Sequence, residues 1–209
     1  VEAKAIYSIE KFLVARRIMY WQVYLHKTAV SAEKVLINIL KRAKELAKQG
    51  SQLFYTRNLG YFIEQNCSLK DFEQGEALQR FALLDDFDII ASIKEWAHHS
   101  DKILSQLSKM LLNRNLYKIE VQKAPFSEQT IQNKKSETAQ KLNLTDSETI
   151  YFVGSGKLTN RAYNPKAGRI NIVFKDGTVK DIAEAADLLS ISEMSKEVEK
   201  YYLYYPKNL

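Results

Sequence analysis

Cysteine is almost absent from this chain: Cys67 is alone among 209 residues. Its isolation excludes an internal disulfide framework and fits a reducing compartment. Histidine is nearly as scarce, with only His26, His98 and His99. The adjacent pair cannot share one helix face and none of the three stands at ligand spacing to Cys67, so no metal site is expected from these residues alone. No apolar run approaches the roughly 18 residues that a membrane span requires, and no basic segment followed by an apolar run and a cleavage site opens the sequence. The expectation is a cytoplasmic protein with no membrane partner. Internal repeats and low-complexity tracts are also missing.

What is present describes a soluble globular protein. Hydrophobic residues make up 45%, charged residues 27%, and the mean hydropathy is −0.34, enough for one sizeable core or two small ones. A net charge of +6 and a pI near 9.2 favour anionic partners such as nucleotides or nucleic acid, although such basicity is also ordinary for a soluble protein.

The stretch Ile9 to Lys27 contains neither Gly nor Pro and is rich in helix formers. On a helical wheel one face collects Ile9, Phe12, Leu13, Met19, Tyr20, Val23 and Tyr24, with Arg16 in its middle; the other collects Val14, Ile18, Trp21 and Leu25. Only a narrow strip with Lys11, Gln22 and His26 is polar, which predicts a helix buried between two layers. An unpaired buried guanidinium is costly, so Arg16 calls for an anionic partner, either a carboxylate or a ligand. Because the chain begins at Val1 with a helix apolar on two sides, a covering segment upstream is expected.

The helical pattern continues from Val30 to Ala47 and stops at Gly50, with Thr28 and Ser31 marking either a break or a bend. Its charges, Lys41, Arg42, Lys44, Glu45 and Lys48, read as a solvated face. Residues 51 to 84 suggest short helices through Leu59 to Ile63, over Phe72 behind a Ser68 cap, and through Leu78 to Leu84. Asp85, Asp86 and Asp88 precede an apolar-periodic helix ending near Trp96 to His99, which favours capping over acid/base chemistry. Asp101 or Ser100 caps a further helix to Arg114.

Near Asn115 the period changes from helical to alternating, which places a domain boundary between 1–115 and 116–209. Strands are expected at Leu116 to Gln122, Ile150 to Val153, Arg169 to Phe174, Val179 and Val198 to Tyr205, with a polar helix from Ser127 to Leu142 and a short one around Ile182 to Leu189. Asp176-Gly177 signals a type I′ hairpin turn. The fold class is therefore α+β: a mostly helical N-terminal part with a long central helix, then a small α+β lobe with a mostly antiparallel sheet.

Nucleophile chemistry finds little support. Gly154-Ser155-Gly156-Lys157 follows an expected strand, but Tyr151 stands where a phosphate loop has its first Gly and Leu158 where it has Ser or Thr. Neither Ser155 nor Ser190 has a nearby base. Arg16, Tyr20, Tyr24 and Lys27 instead fall along one side of a helix over about three turns. Cations among phenol rings suit a nucleotide, with the guanidinium on phosphate oxygens. The alternative is that the tyrosines are core and Arg16 pairs with a buried Asp or Glu.

The string Leu13-Val-Ala-Arg16-Arg-Ile-Met-Tyr20-Trp-Gln-Val-Tyr24-Leu-His26-Lys27 resembles the helix that follows the metal site in HD-domain phosphohydrolases, the group including deoxynucleoside triphosphate triphosphohydrolases. Leu112-Asn-Arg114-Asn-Leu-Tyr117-Lys118 resembles the segment where that group's helical domain gives way to its C-terminal lobe. The resemblance covers roughly the first 120 residues. It implies that Arg16 contacts a substrate triphosphate, that Tyr24 lies beside the deoxyribose, and that Tyr20 hydrogen-bonds where relatives carry His. His26, Lys27, Arg114 and Lys118 match basic positions that line effector sites at subunit contacts, although Arg114 and Lys118 would equally serve to anchor the two lobes.

The group's metal ligands, a His, a His-Asp pair and a distant Asp, have no counterpart here and would lie upstream of Val1. The resemblance thus implies the C-terminal portion of a homo-oligomeric enzyme, with no catalytic or metal residue of its own and inactive alone. The whole protein would use a divalent ion, whether magnesium, manganese, iron, zinc or nickel. A non-enzymatic nucleotide sensor or an RNA-binding module is the rival expectation, with single-stranded nucleic acid as partner, suggested by the net charge and the Tyr-rich stretch at 201 to 205.

Overall fold

The computed structural model describes residues 1–186 and 196–207. Its backbone is α+β, and it groups into two units interleaved along the sequence: Val1–Val30, Ile119–Ile131 and Ser155–Leu203 form the first, and Ser31–Lys118, Gln132–Gly154 and Tyr204–Leu209 the second. No helix among the described residues is long and apolar enough to cross a membrane.

In the first unit, α1 (Ile6–Met19) runs into a widened turn at Tyr20–Tyr24, closed by the Leu25 amide on the Tyr20 carbonyl at 2.7 Å. This i to i+5 bond makes a single π turn. Helix α2 (Lys27–Lys48) then begins, and the break expected at Thr28 or Ser31 falls at Leu25 and His26. Strand β1 (Lys118–Gln122) belongs to a three-stranded sheet of order β1-β5-β2, with β2 spanning Gly154–Asn160 and β5 Val198–Tyr205. Strands β3 (Asn171–Val173) and β4 (Val179–Asp181) make an antiparallel hairpin. Leu13 of α1 packs with Tyr163, Ile172 and Ile182, and the Tyr163 hydroxyl donates to buried Asp181 at 2.6 Å.

In the second unit, Val35, Ile39, Ala43 and Leu46 form the buried face of α2. Around them stand α3 (Arg57–Glu64), α4 (Leu69–Gln74), α5 (Ala77–Ala82), α6 (Asp86–Trp96) and α7 (Lys102–Leu112), close to where periodicity and caps predict them. Ser68 with Asp71 and Asp85 with Asp88 both form capping boxes. Asp101 accepts the Leu104 amide at the start of α7. Asn38 donates from its side-chain amide to the Tyr151 carbonyl at 2.8 Å and the Tyr204 hydroxyl at 3.3 Å, so a buried polar group is satisfied inside the core.

Several expectations are corrected. Apart from Glu10 and Leu13, α1 is not buried: Phe12 is 63% exposed, and Tyr7, Ile18, Met19, Val23 and Tyr24 are also on the surface. Among the described residues no element covers that face, and a hydrophobic pattern cannot say whether a partner layer exists. Residues 150 to 153 are not a strand. The capping box of Thr145 with Glu148 starts α9 (Asp146–Thr149), and Tyr151, Phe152 and Val153 follow it as buried plugs. The strand comes later, through Gly154 and Gly156, because the rings of Tyr204 and Tyr202 lie where Cβ atoms would be. Asp176-Gly177 is a hairpin turn but not type I′: only Gly177 has positive φ, at 82°, and its amide bonds the Phe174 carbonyl at 3.0 Å, a three-residue loop ending in a left-handed Gly.

Strand β3 is Asn171–Val173 rather than 169 to 174, while α8 (Glu128–Leu142) and β5 agree with expectation. Helix α10 covers Ile182–Ala185, and residues 187–189 of the helix expected there, with Ser190, lie outside the described residues. The supposed solvated face of α2 also does structural work. Arg42 makes a two-pronged bond to Asp101, at 3.1 and 2.6 Å, and Lys44 donates to the carbonyls of Phe62 and Gln65 at the end of α3.

Burial works against the Asp101 charge, but the Arg42 hydrogen bond, the Leu104 amide and the Arg42 charge outweigh it and hold the carboxyl below its ordinary value. A folded value below the unfolded one, near 3.9, stabilises the protein above about pH 4, and that contribution is lost as pH falls through the depressed value. Asp101→Asn, which keeps a helix cap, is expected to cost about 2 kcal/mol at neutral pH. It should also make the acid loss of stability shallower, as read by denaturant titration across the acid range; an unchanged acid limb would refute the assignment. Gly154→Ala would put a Cβ 2.6 Å from the Tyr204 hydroxyl, whose ring is buried against Tyr117 at 4.8 Å. Overpacking there should destabilise by roughly 1–3 kcal/mol, visible as a lower Tm.

Candidate functional site

Arg16, Tyr20 and Tyr24 come together in the first unit. Arg16 lies 5.4 Å from the Tyr20 ring centroid, and the Tyr20 and Tyr24 rings are 5.1 Å apart at a tilt of 55°. The spacing i, i+4 and i+8 puts the three along one side of a regular helix, and Tyr20 and Tyr24 stay close although they stand at the two ends of the π turn. The Arg16 guanidinium is exposed and donates to the Ala162 carbonyl at 3.3 Å. Among the described residues no carboxylate pairs with it, so the alternative of a buried Asp or Glu partner is not what holds this side chain. The premise that burial forces an anion onto Arg16 is also removed. What remains is an exposed cation, steered by a carbonyl and a ring, with donors to spare.

His26 and Lys27 sit one turn further on. The His26 Nδ1 accepts the Thr28 amide at 3.2 Å, which leaves Nε2 as the protonated nitrogen of a neutral ring. Both residues line a cavity of about 400 Å³ in the first unit, together with Trp21, Leu25, Gln122, Lys123, Leu158 and Lys200. The Lys200 ammonium lies 4.0 Å from the centroid of a Trp21 ring. Sequence reasoning missed Trp21, Lys123 and Lys200, because residues so far apart in the chain carry no local signal of their meeting; only the cluster of aromatic and basic residues at 20 to 27 hinted at it.

Arg114 and Lys118 belong to the second unit. Arg114 is exposed with φ 55°, a left-handed residue just past the end of α7 whose amide bonds the Leu111 carbonyl. Lys118 opens β1 with its ammonium 5.6 Å from the Tyr205 ring, a ring that Lys134 also approaches, at 4.5 Å. Of the tyrosines at 201 to 205, Tyr202, Tyr204 and Tyr205 are buried, so this stretch is core rather than a platform for stacked bases. His99 accepts the Asp101 amide through Nδ1 at 3.0 Å, a role in the turn before α7.

No family model matches the chain. It is similar to an uncharacterized protein of Bacillus subtilis, YwfO, with 28% identity over 214 residues, covering all of this chain and 47% of that protein. It is also similar to the solved structure of a phosphohydrolase from Bacteroides thetaiotaomicron, with a TM-score of 0.89 and 47% identity over 99% of this chain and 52% of that one. The chain thus spans about half the length of the relatives it matches, and along that half it shares both the fold and nearly every second residue of the phosphohydrolase.

Proposed function

We propose that this chain carries part of the substrate wall of a metal-dependent, HD-type phosphohydrolase acting on (deoxy)nucleoside triphosphates. The observation that carries the reading is the Arg16, Tyr20 and Tyr24 cluster, where a guanidinium with no carboxylate partner among the described residues is held at a ring beside a second phenol. A planar fork of donors suits two phosphate oxygens, and a phenol packed beside it suits a deoxyribose. Support for the reaction class comes from the matched phosphohydrolase.

Among the described residues no three His, Cys, Asp or Glu side chains come close enough to hold a metal. The described residues therefore do not fit the ion. In this reading the ion belongs to the half of the relatives that the chain does not match, and the exposed apolar face of α1 is the side toward that half. This chain's own part is to bind and orient: Arg16 takes the phosphates, Tyr20 holds Arg16, and Tyr24 crowds the sugar where a 2′-hydroxyl would stand. His26 and Lys27 read as effector contacts. Arg114 and Lys118 belong to the same reading as contacts at a subunit boundary. Homo-oligomerisation is supported by exposed Leu78, Phe81, Leu83 and Phe87 in the second unit.

In the longer protein, Arg16→Ala is expected to lower kcat/KM for a deoxynucleoside triphosphate about 100-fold, and Arg16→Lys to recover only part of it. Steady-state assays with manganese or magnesium decide the matter, and unchanged kinetics would remove Arg16 from the phosphate site.

A further inference from the structure

In the second unit, α2, α3 and the start of α6 surround a hollow of about 350 Å³. Leu40, Phe62, Ile63, Leu84 and Ile89 contribute to its walls, and among the described residues Lys41 and Lys44 are the only polar side chains that line it. Phe62 is braced by its own packing, with the rings of Phe72 and Phe81 at 6.2 and 6.3 Å. A wall already fixed loses little freedom when the hollow fills, and filling releases water from apolar surface. The two cations are not equivalent. Lys44 is held: its ammonium donates to the carbonyls of Phe62 and Gln65, at 2.9 and 2.7 Å, at the end of α3. Those bonds use two of its three donors, so one is left for a ligand. Lys41 lies one turn earlier on the same side of α2 and is exposed. Among the described residues neither lysine pairs with a carboxylate, although Lys34 and Arg42 of the same helix do, with Glu33 at 2.9 Å and Asp101 at 2.6 Å.

We infer that this hollow binds a free medium-chain fatty acid, with its carboxylate on the Lys44 and Lys41 ammonium groups and its acyl chain between α2, α3 and α6. The volume sets the chain length, because it lies near the lower end of the roughly 300–1,000 Å³ that ligand pockets span. The cations set the head group. Lys44 sits among the carbonyls that end α3, where the helix dipole is negative, so the spot favours one negative charge over the two of a phosphate. Among the described residues the lining also offers no guanidinium fork and no further polar side chain to surround additional oxygens. A carboxylate takes the remaining Lys44 donor as a charge-assisted hydrogen bond, and the tail covers apolar side chains that otherwise face water. The site is independent of the Arg16 cluster, which belongs to the first unit.

Calorimetric titration of the longer protein with octanoate, decanoate and decyltrimethylammonium tests the site. Decanoate should bind saturably, about fifteenfold tighter than octanoate, since each buried methylene is worth about fourfold. Decyltrimethylammonium has the same tail under a cationic head and should bind about tenfold more weakly than decanoate. Leu40→Trp, which fills the hollow, should abolish decanoate binding and the rise in Tm that decanoate gives the unaltered protein. Lys41→Met together with Lys44→Met should leave the tail's contribution and erase the preference between the two head groups. Lys41→Met alone leaves the Lys44 bonds to α3 intact and should reduce that preference in part, which keeps the test open if the double variant does not fold. Melting temperatures without ligand establish which variants fold. No saturable decanoate binding, the result expected if side chains of another protein segment occupy the hollow, would overturn the inference. Equal affinity for the two head groups in the unaltered protein, or undiminished decanoate binding in folded Leu40→Trp, would overturn it as well.

Discussion

One backbone hydrogen bond, from the Leu25 amide to the Tyr20 carbonyl at 2.7 Å, decides which side chains of the first unit can meet. It inserts one residue into the helical repeat, and an inserted residue rotates everything beyond it relative to everything before. Tyr20 and Tyr24, at the two ends of the widened turn, lie near each other beside Arg16 with their rings tilted by 55°, while Trp21, Leu25, His26 and Lys27 line a separate hollow.

The turn survives because its surroundings hold it. Buried Asn160, at the end of β2, donates to the Arg17 carbonyl at 3.4 Å, and the Arg16 guanidinium reaches the Ala162 carbonyl two residues further along the chain. β2 in turn is set by its glycines, since Gly156 leaves the room that Tyr202 of β5 fills. A cluster on a helix thus depends on a strand far away in sequence, through bonds made mostly to carbonyl groups that any residue type supplies.

Much of the helical architecture was legible because its signals are local. Ser68 with Asp71, Asp85 with Asp88, and Asp101 with Leu104 act within one turn of chain, so spacing alone announces them. The same kind of signal was overlooked at Thr145 and Glu148, and the apolar run after it then read as a strand. Arg42 and Lys44 looked like solvated charges because their partners, Asp101 and the carbonyls of Phe62 and Gln65, lie on other elements. The Arg16, Tyr20 and Tyr24 grouping was legible from spacing, but not the π turn at Tyr20–Tyr24, because a turn widened by one residue has no residue signature of its own.

The sequence by itself determined the α+β class, most helix boundaries and the cluster of basic and aromatic residues from Arg16 to Lys27, since periodicity and caps act over a few residues. Tertiary structure alone decided that α1 lies exposed, that β2 passes through Gly154 and Gly156, and that Lys123 and Lys200 join Trp21 around one cavity. Those outcomes depend on packing and charge between residues remote in the chain, and such interactions leave no trace in local composition.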